Sequence, residues 1–466
     1  MDRRSTPGRD DIQLEPPLSQ HAGMVRAVED RSYLIYIAGA LFTALAAGFL
    51  LAVLLPLSAA GTLPWTETVP RLTQAHGWAQ LQGWAGLFVA GMGLRMMPRF
   101  AGRKPLPTRL TLPISLALFF GTAGRTVAQT FLAGRLAQGV FIVTGCASAF
   151  AMLGVGCTLL LTLSRAGKHR EPWRYFASAG ACWWLVWGVL TTIASIEGAS
   201  NGIFIPARLD DAMTWIVMFG AVANFIWGIQ SRSVPIFFGR KTPSVRRAIV
   251  PGLLLNIGVL AILTSTLPVL EAQRDRALGF GLALCGLALA WLAPLAGSLW
   301  GQAHRLRPRA RAAARYVIAA NWFAVISGVL LAASGIASAL TGNYELFALR
   351  DAARHAFGVG VITLLIVGMA QLVAPVFALE RAEARAGGIR DYLTWWPLLC
   401  AAVLRVVAAL LLGHMDGTLR LQIAAVAGAL GWLGLAGFAF SVIQAARKEP
   451  RMRALLTGTT RAPKAD

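Results

Sequence analysis

The chain has 466 residues, of which 56% are hydrophobic and only 14% charged, with 48 glycines and 15 tryptophans. Soluble domains carry about 25% charged residues, so this composition excludes an ordinary soluble globular protein. The formal net charge of +22 does not point to nucleic acid, because the basic residues collect in alternate segments between long apolar runs.

Residues 1–31 are mostly polar and include DRRSTPGRDDIQLEPP. They lack the short basic region that precedes a cleaved signal and are expected to form a disordered cytoplasmic tail. Twelve apolar runs follow, at 32–55, 75–97, 110–132, 136–163, 173–195, 211–234, 248–268, 278–300, 314–338, 354–377, 392–412 and 419–444. Each is near the roughly 20 residues that span a bilayer. They predict an all-α, polytopic membrane protein of about twelve transmembrane helices, embedded in a lipid bilayer.

Of the 43 Lys and Arg, about 32 lie in the tails and alternate loops, the asymmetry of the positive-inside rule. Those loops hold Arg99, Arg103, Lys104 and Arg109, then Arg165, Lys168, Arg170 and Arg174, then Arg240, Lys241, Arg246 and Arg247. Two further groups are Arg305, Arg307, Arg309 and Arg311, and Arg381, Arg385 and Arg390. Both termini, including a basic tail over 447–466, are therefore expected in the cytoplasm, with the basic loops on the anionic inner leaflet. The five cysteines (Cys146, Cys157, Cys182, Cys285, Cys400) all fall within predicted spans and show no CxxC spacing. They read as small residues packing between helices.

Three stretches align with one another: GMGLRMMPRFAGRK (91–104), GIQSRSVPIFFGRK (228–241) and GMAQLVAPVFALER (368–381). Each has Gly, then Pro seven residues on, then Phe two further. The prolines, Pro98, Pro235 and Pro375, are 137 and 140 residues apart. They are expected to end their helices, since proline lacks the N–H that continues one. The recurrence predicts three four-helix pseudo-repeats, 32–170, 171–310 and 311–446. It argues against a carrier built of two six-helix halves, in which a motif after helix two would return after helix eight. The loop there reads GQAHRLRPRARAAAR instead.

Of six histidines, His21, His169, His304 and His414 fall in tails and loops. His76 and His355 begin helices two and ten, 22 and 20 residues before the shared proline. At 1.5 Å per residue, both reach about the same outer depth. Arg125 on helix three and Arg405 on helix eleven lie 27 and 30 residues after the prolines, in the same layer. Helix six opens with LDDAMTW and has neither histidine. Two histidines at one level can supply both axial ligands of a haem, and two arginines can meet its propionates. The alternative is that each His caps a helix entrance or bonds a neighbouring backbone, and that each Arg snorkels outwards. Gln80, one turn after His76, is a supporting partner or packing glue.

HGWAQLQGWAGLFVAGMGLRMMPRF (76–100) resembles the second-helix signature of the NnrS family, whose layout of four-helix repeats is shared with the catalytic subunit of haem–copper oxidases. ARHAFGVGVITLLIVGMAQLVAP (353–375) is similar to that family's tenth-helix pattern. The resemblance implies a bacterial inner-membrane protein that binds haem b, and copper in some members, and serves nitric oxide handling. It implies His76 and His355 as the low-spin haem ligands and Arg405 as a propionate partner, with an electron donor or a small gas as partner. Trp78 stands where the family has a second His, and Ala79 where an acidic residue often follows. Helices six and seven carry no histidine, so the oxidase or reductase chemistry of a binuclear centre is not expected. Two other classes stay open: a small-solute carrier with Asn224, Asn321 and Gln371 on its pathway, and a haem-less assembly or partner-binding subunit.

Overall fold

A computed structural model describes residues 32–167, 171–295, 299, 306, 308–343, 346–377 and 389–456. The expected tail over 1–31, the end of the basic tail at 457–466, and His21, His169 and His304 lie outside the described residues. Apolar length converts into helix wherever it was expected. We number the helices α1 (32–59), α2 (69–100), α3 (Thr108–Phe131), α4 (Gly134–Ser164), α5 (Pro172–Ser200) and α6 (207–237). There follow α7 (Val245–Thr264), α8 (Arg274–Leu295), α9 (Pro308–Thr341), α10 (347–377), α11 (Ile389–Leu410) and α12 (Gly417–Leu456). No strand occurs among the described residues.

Eleven described helices are long and apolar enough to cross a membrane. The exception is α2, where Gln74, His76, Gln80, Gln82 and Arg95 dilute an otherwise apolar run. Gln74, Gln82 and Arg95 are nevertheless buried. A helix screened by protein on all sides need not be apolar to satisfy lipid. Its counterparts α6 and α10 bury 83% and 67% of their spans, against 39–61% for the other spans. Thus α2, α6 and α10 form the interior, and the remaining helices surround them. Phe42, Phe120, Val143, Phe150, Leu161 and Leu340 are among the large apolar side chains on the outside, the surface a bilayer contacts.

Each interior helix is interrupted by a π segment, at Ala79–Gly86, Ile216–Val222 and Ala356–Thr363. Each begins nineteen residues before the shared proline. Within them Gly83, Gly220 and Gly360 accept the side chains of Thr43, Trp183 and Phe323 where a Cβ would otherwise stand. Eight residues along, Gly91 and Gly368 do the same for Tyr36 and Tyr316, and Gly228 faces Phe176 at ordinary contact distance. Both sets of partners lie 140 residues apart on α1, α5 and α9. Small residues allow such close approach between helices, where dispersion rather than the hydrophobic effect holds them. The outer ring closes as α4 packs on α5, α8 on α9 and α12 on α1. Trp432 Nε1 donates to Leu45 O (3.0 Å) across that last contact.

Two expectations are corrected. Pro98 and Pro235 lie inside their helices, which run on to Phe100 and Phe237. A proline in the last turn forfeits one hydrogen bond and leaves the turn intact. The stop comes from Gly102 and Gly239, both at φ 64°, a conformation that costs glycine little. Arg103 N then donates to Pro98 O and Arg240 N to Pro235 O, both at 2.7 Å, so the two GRK turns close alike. The turn after Pro375 lies outside the described residues. The cysteines also differ from expectation: only Cys285 is buried between helices, whereas Cys146, Cys157, Cys182 and Cys400 face outwards.

The tightest glycine contacts against backbone join α8 to α9, where a Cβ at Gly335 would fall 2.4 Å from Ala283 N and one at Gly279 would fall 2.6 Å from Ala339 N and 2.8 Å from Gly335 O. Backbone cannot step aside as a side chain can. Gly279→Val should therefore destabilise by about 1–3 kcal/mol or more, read as a lower melting temperature of the purified protein in detergent. Gly139→Ala, on α4 with open space beside it, should be neutral or stabilise by about 0.5–1 kcal/mol.

Candidate functional site

Neither histidine stands at a helix mouth. Helix α2 begins at Val69 with Pro70 in its first turn, and α10 begins at Phe347. Proline is tolerated there because the first N–H groups have no partner inside the helix. Both histidines therefore lie about two turns inside their helices, and neither caps its own.

His76 Nδ1 lies 2.8 Å from Gly48 O, at the end of the π segment Ala44–Gly48 of α1. A Cβ at Gly48 would meet the Gln80 amide at 3.0–3.2 Å. Gln80 thus packs on the residue that holds His76. Across the site, His355 Nδ1 lies 2.8 Å from Asp351 O and 3.1 Å from Asp351 Oδ1. The same carboxylate accepts from Arg405 of α11, with its Oδ2 at 3.0 Å. His76 is within electrostatic range of His355, Asp351 and Arg405. The two histidines, Gln80 and Arg405 therefore belong to one cluster, to which the fold adds Asp351.

Both rings are fixed through Nδ1, and neither Nε2 has a hydrogen-bond partner among the described residues. Space lies open beside Gly77 and Gly358, where an added Cβ would meet nothing within 4 Å. Among the described residues no group of three or more His, Cys, Asp or Glu side chains converges as metal ligands. A copper centre with three such protein ligands is not assembled there. A haem asks less of the protein, because the porphyrin supplies four nitrogens and two imidazoles complete the iron.

Arg125 belongs elsewhere. Trp78 is two residues beyond His76, about 200° around the helix, and the Arg125 guanidinium lies 4.6 Å from its ring and 5.2 Å from that of Phe141. Its electrostatic partner is Asp210 of α6, which accepts from Trp78 Nε1 at 2.7 Å. At 2% exposure Arg125 does not snorkel, and its three guanidinium nitrogens make no hydrogen bond among the described residues. Arg354 of α10 pairs with Asp211 of α6 and lies over the Trp215 ring at 4.7 Å. The acidic pair that distinguishes α6 in the sequence thus ties α6 to α2 through one carboxylate and to α10 through the other.

The residues that suit a solute pathway are otherwise engaged. Asn224 and Asn256 exchange amide hydrogen bonds at 3.1 Å between α6 and α7, and Asn224 also donates to Phe219 O and Gly220 O in the π segment. Asn321 donates to Gln230 Oε1 at 3.1 Å, joining α9 to α6. Gln371 is half-buried on α10.

Sequence spacing placed both histidines and both arginines in one layer but missed Asp351 as a member. Its signal was present: in DAARH it precedes His355 by four residues, one helical turn. Its pairing with Arg405, 54 residues away, had no local signal.

A buried donor left without its acceptor costs about 1–3 kcal/mol. Asp210→Ala, which takes the acceptor from the Trp78 N–H and removes the carboxylate that faces Arg125 electrostatically, should lower the melting temperature more than Glu271→Ala. Glu271 meets Arg208 at an exposed site, where such a pair is worth about 0–1 kcal/mol. Equal losses in the two variants would deny Asp210 this role.

No protein-family model matches the chain, and no curated protein matches it, so the geometry of the site carries the functional argument.

Proposed function

We propose that this chain is an NnrS-type protein of the bacterial inner membrane that binds one b-type haem between α2 and α10. His76 and His355 are its axial ligands, and its role is redox transfer or protection against nitric oxide. The observation that carries this reading is the state of the two rings. Each is held at Nδ1 by a backbone carbonyl, which puts the proton on Nδ1 and leaves the lone pair on an unpartnered Nε2. Metal-bound histidines are oriented in this way by the bond their second nitrogen makes. When bound, such a haem would supply a one-electron iron couple, and a small gas would reach the iron only where one of the two histidines gave way.

The chain's own residues hold and orient. Gly48 and Gln80 fix His76 from α1 and within α2, while Asp351 and Arg405 fix His355 from α10 and α11. Engaged with Asp351, Arg405 is not a free propionate anchor. Arg125 lies with Trp78 and Asp210 and serves the junction of α2, α3 and α6.

The architecture that supports this site is three four-helix repeats, 32–170, 171–310 and 311–446. The matching π segments, the glycine contacts spaced by 140 residues on α1, α5 and α9, and the closure of α12 on α1 support it. By the Lys/Arg asymmetry, both termini and the GRK turns are cytoplasmic, while Glu197, Asp275 and His414 lie outside.

His76→Ala and His355→Ala should each abolish the low-spin absorbance of the haem-loaded protein, because either loss leaves iron five-coordinate. Wild-type spectra in both variants would remove the ligand assignment. Reporter fusions after residues 200 and 275 should report an external location, and cytoplasmic signals at either would overturn the orientation.

A further inference from the structure

The two histidines are not held alike. His76 has only a peptide carbonyl behind Nδ1. His355 has a carbonyl at 2.8 Å and a carboxylate oxygen at 3.1 Å. Asp351 joins two helices: its Oδ1 lies 3.1 Å from His355 Nδ1 of its own helix, and Arg405 Nη2 of α11 donates to Oδ2 at 3.0 Å and to Oδ1 at 3.4 Å. Its side chain is 13% exposed, so little water competes for either oxygen. A carboxylate behind an imidazole fixes its tautomer and makes its far nitrogen a stronger donor.

Resting on the haem reading above, we propose that Asp351 is the positioning residue of the site. It holds the His355 ring and strengthens Nε2 as a ligand, and Arg405 acts on the site through Asp351. Without Arg405 the carboxylate would be a largely buried charge free to rotate away from the ring. With it, the aspartate has one rotamer that satisfies both neighbours. The site is thereby asymmetric, with a neutral donor on α2 and a carboxylate-backed donor on α10. An electron-rich ligand favours the ferric over the ferrous state, so Asp351 lowers the potential of a bound haem.

Two measurements separate this proposal from the haem assignment beneath it. In haem-free protein labelled with 15N-histidine, the wild-type His355 ring should carry its proton on Nδ1. In Asp351→Ala the Nδ1 proton resonance should move upfield while that of His76 stays in place. An unmoved His355 resonance would overturn the proposal whether or not haem binds. In haem-loaded protein, Asp351→Asn should raise the midpoint potential, and Asp351→Glu should restore part of the shift. Arg405→Leu should raise the potential in the wild-type background and add nothing in Asp351→Asn, as residues acting through one another are non-additive. A full Arg405 effect that persists in Asp351→Asn would mean Arg405 meets the cofactor directly and would overturn its assigned route. If the wild type takes up no haem, the functional reading falls, and the ring-proton measurement still decides whether Asp351 holds His355.

Discussion

Charges carried into an apolar bundle must find partners there, since water is not at hand and an unpaired charge or donor is strongly disfavoured. The three interior helices meet that constraint with one another. Asp210 of α6 receives Trp78 of α2, Asp211 of α6 receives Arg354 of α10, and Asp351 of α10 lies among His355, Arg405 and the nearby His76 of α2. In this layer α6 is thus bonded to both other helices, and α2 faces α10 across the cluster. Deeper in, Trp84 Nε1 donates to Thr363 Oγ1 at 3.1 Å, and Phe219 meets Phe357 edge-on at 5.1 Å.

Everything outside that trio depends on close approach. Glycines on α2, α6 and α10 take side chains of α1, α5 and α9 into the space a Cβ would fill. Glycine pairs such as Gly286 with Gly328 and Gly279 with Gly335 bring α8 onto α9. The π segments belong to the same economy of space. They leave carbonyls without their usual partners, and side chains reach in to use them, as His76 uses Gly48 O and Asn224 uses Phe219 O and Gly220 O. Irregular backbone inside a membrane is tolerated where protein re-satisfies it.

At the candidate site the two histidines are each held through Nδ1, His76 by Gly48 O of α1 and His355 by Asp351 of its own helix. Single buried atoms elsewhere on the central helices, such as Gln82 Oε1, Trp227 Nε1 and Gln230 Nε2, also have no partner among the described residues, but they are not gathered with a carboxylate and an arginine as the histidines are. Arg125 is a different case. It is enclosed at the junction of α2, α3 and α6, faced by the rings of Trp78 and Phe141 and by the charge of Asp210. The same contrast applies to the asparagines, whose amides join helices rather than line a passage.

The sequence by itself determined the helices. Apolar length alone located all twelve, with starts and ends shifted by two turns or less except for α12, which runs twelve residues further, because burying backbone polar groups in lipid leaves helix as the only local solution for such a run. It also set the recurrence of Gly, Pro and Phe at fixed spacing, and the common depth of His76, His355 and Arg405, since rise per residue is constant. Where the helices stop was less legible: proline drew attention, but the left-handed glycines four residues later end α2 and α6. Only the tertiary structure decided which acid meets which base. Asp351 lies one turn from His355 and 54 residues from Arg405, and the second contact exists because α11 lies against α10. Likewise Arg125 shares a depth with His76 yet meets Trp78 instead, because residues two apart on a helix face nearly opposite ways and the neighbours on each side are chosen by packing.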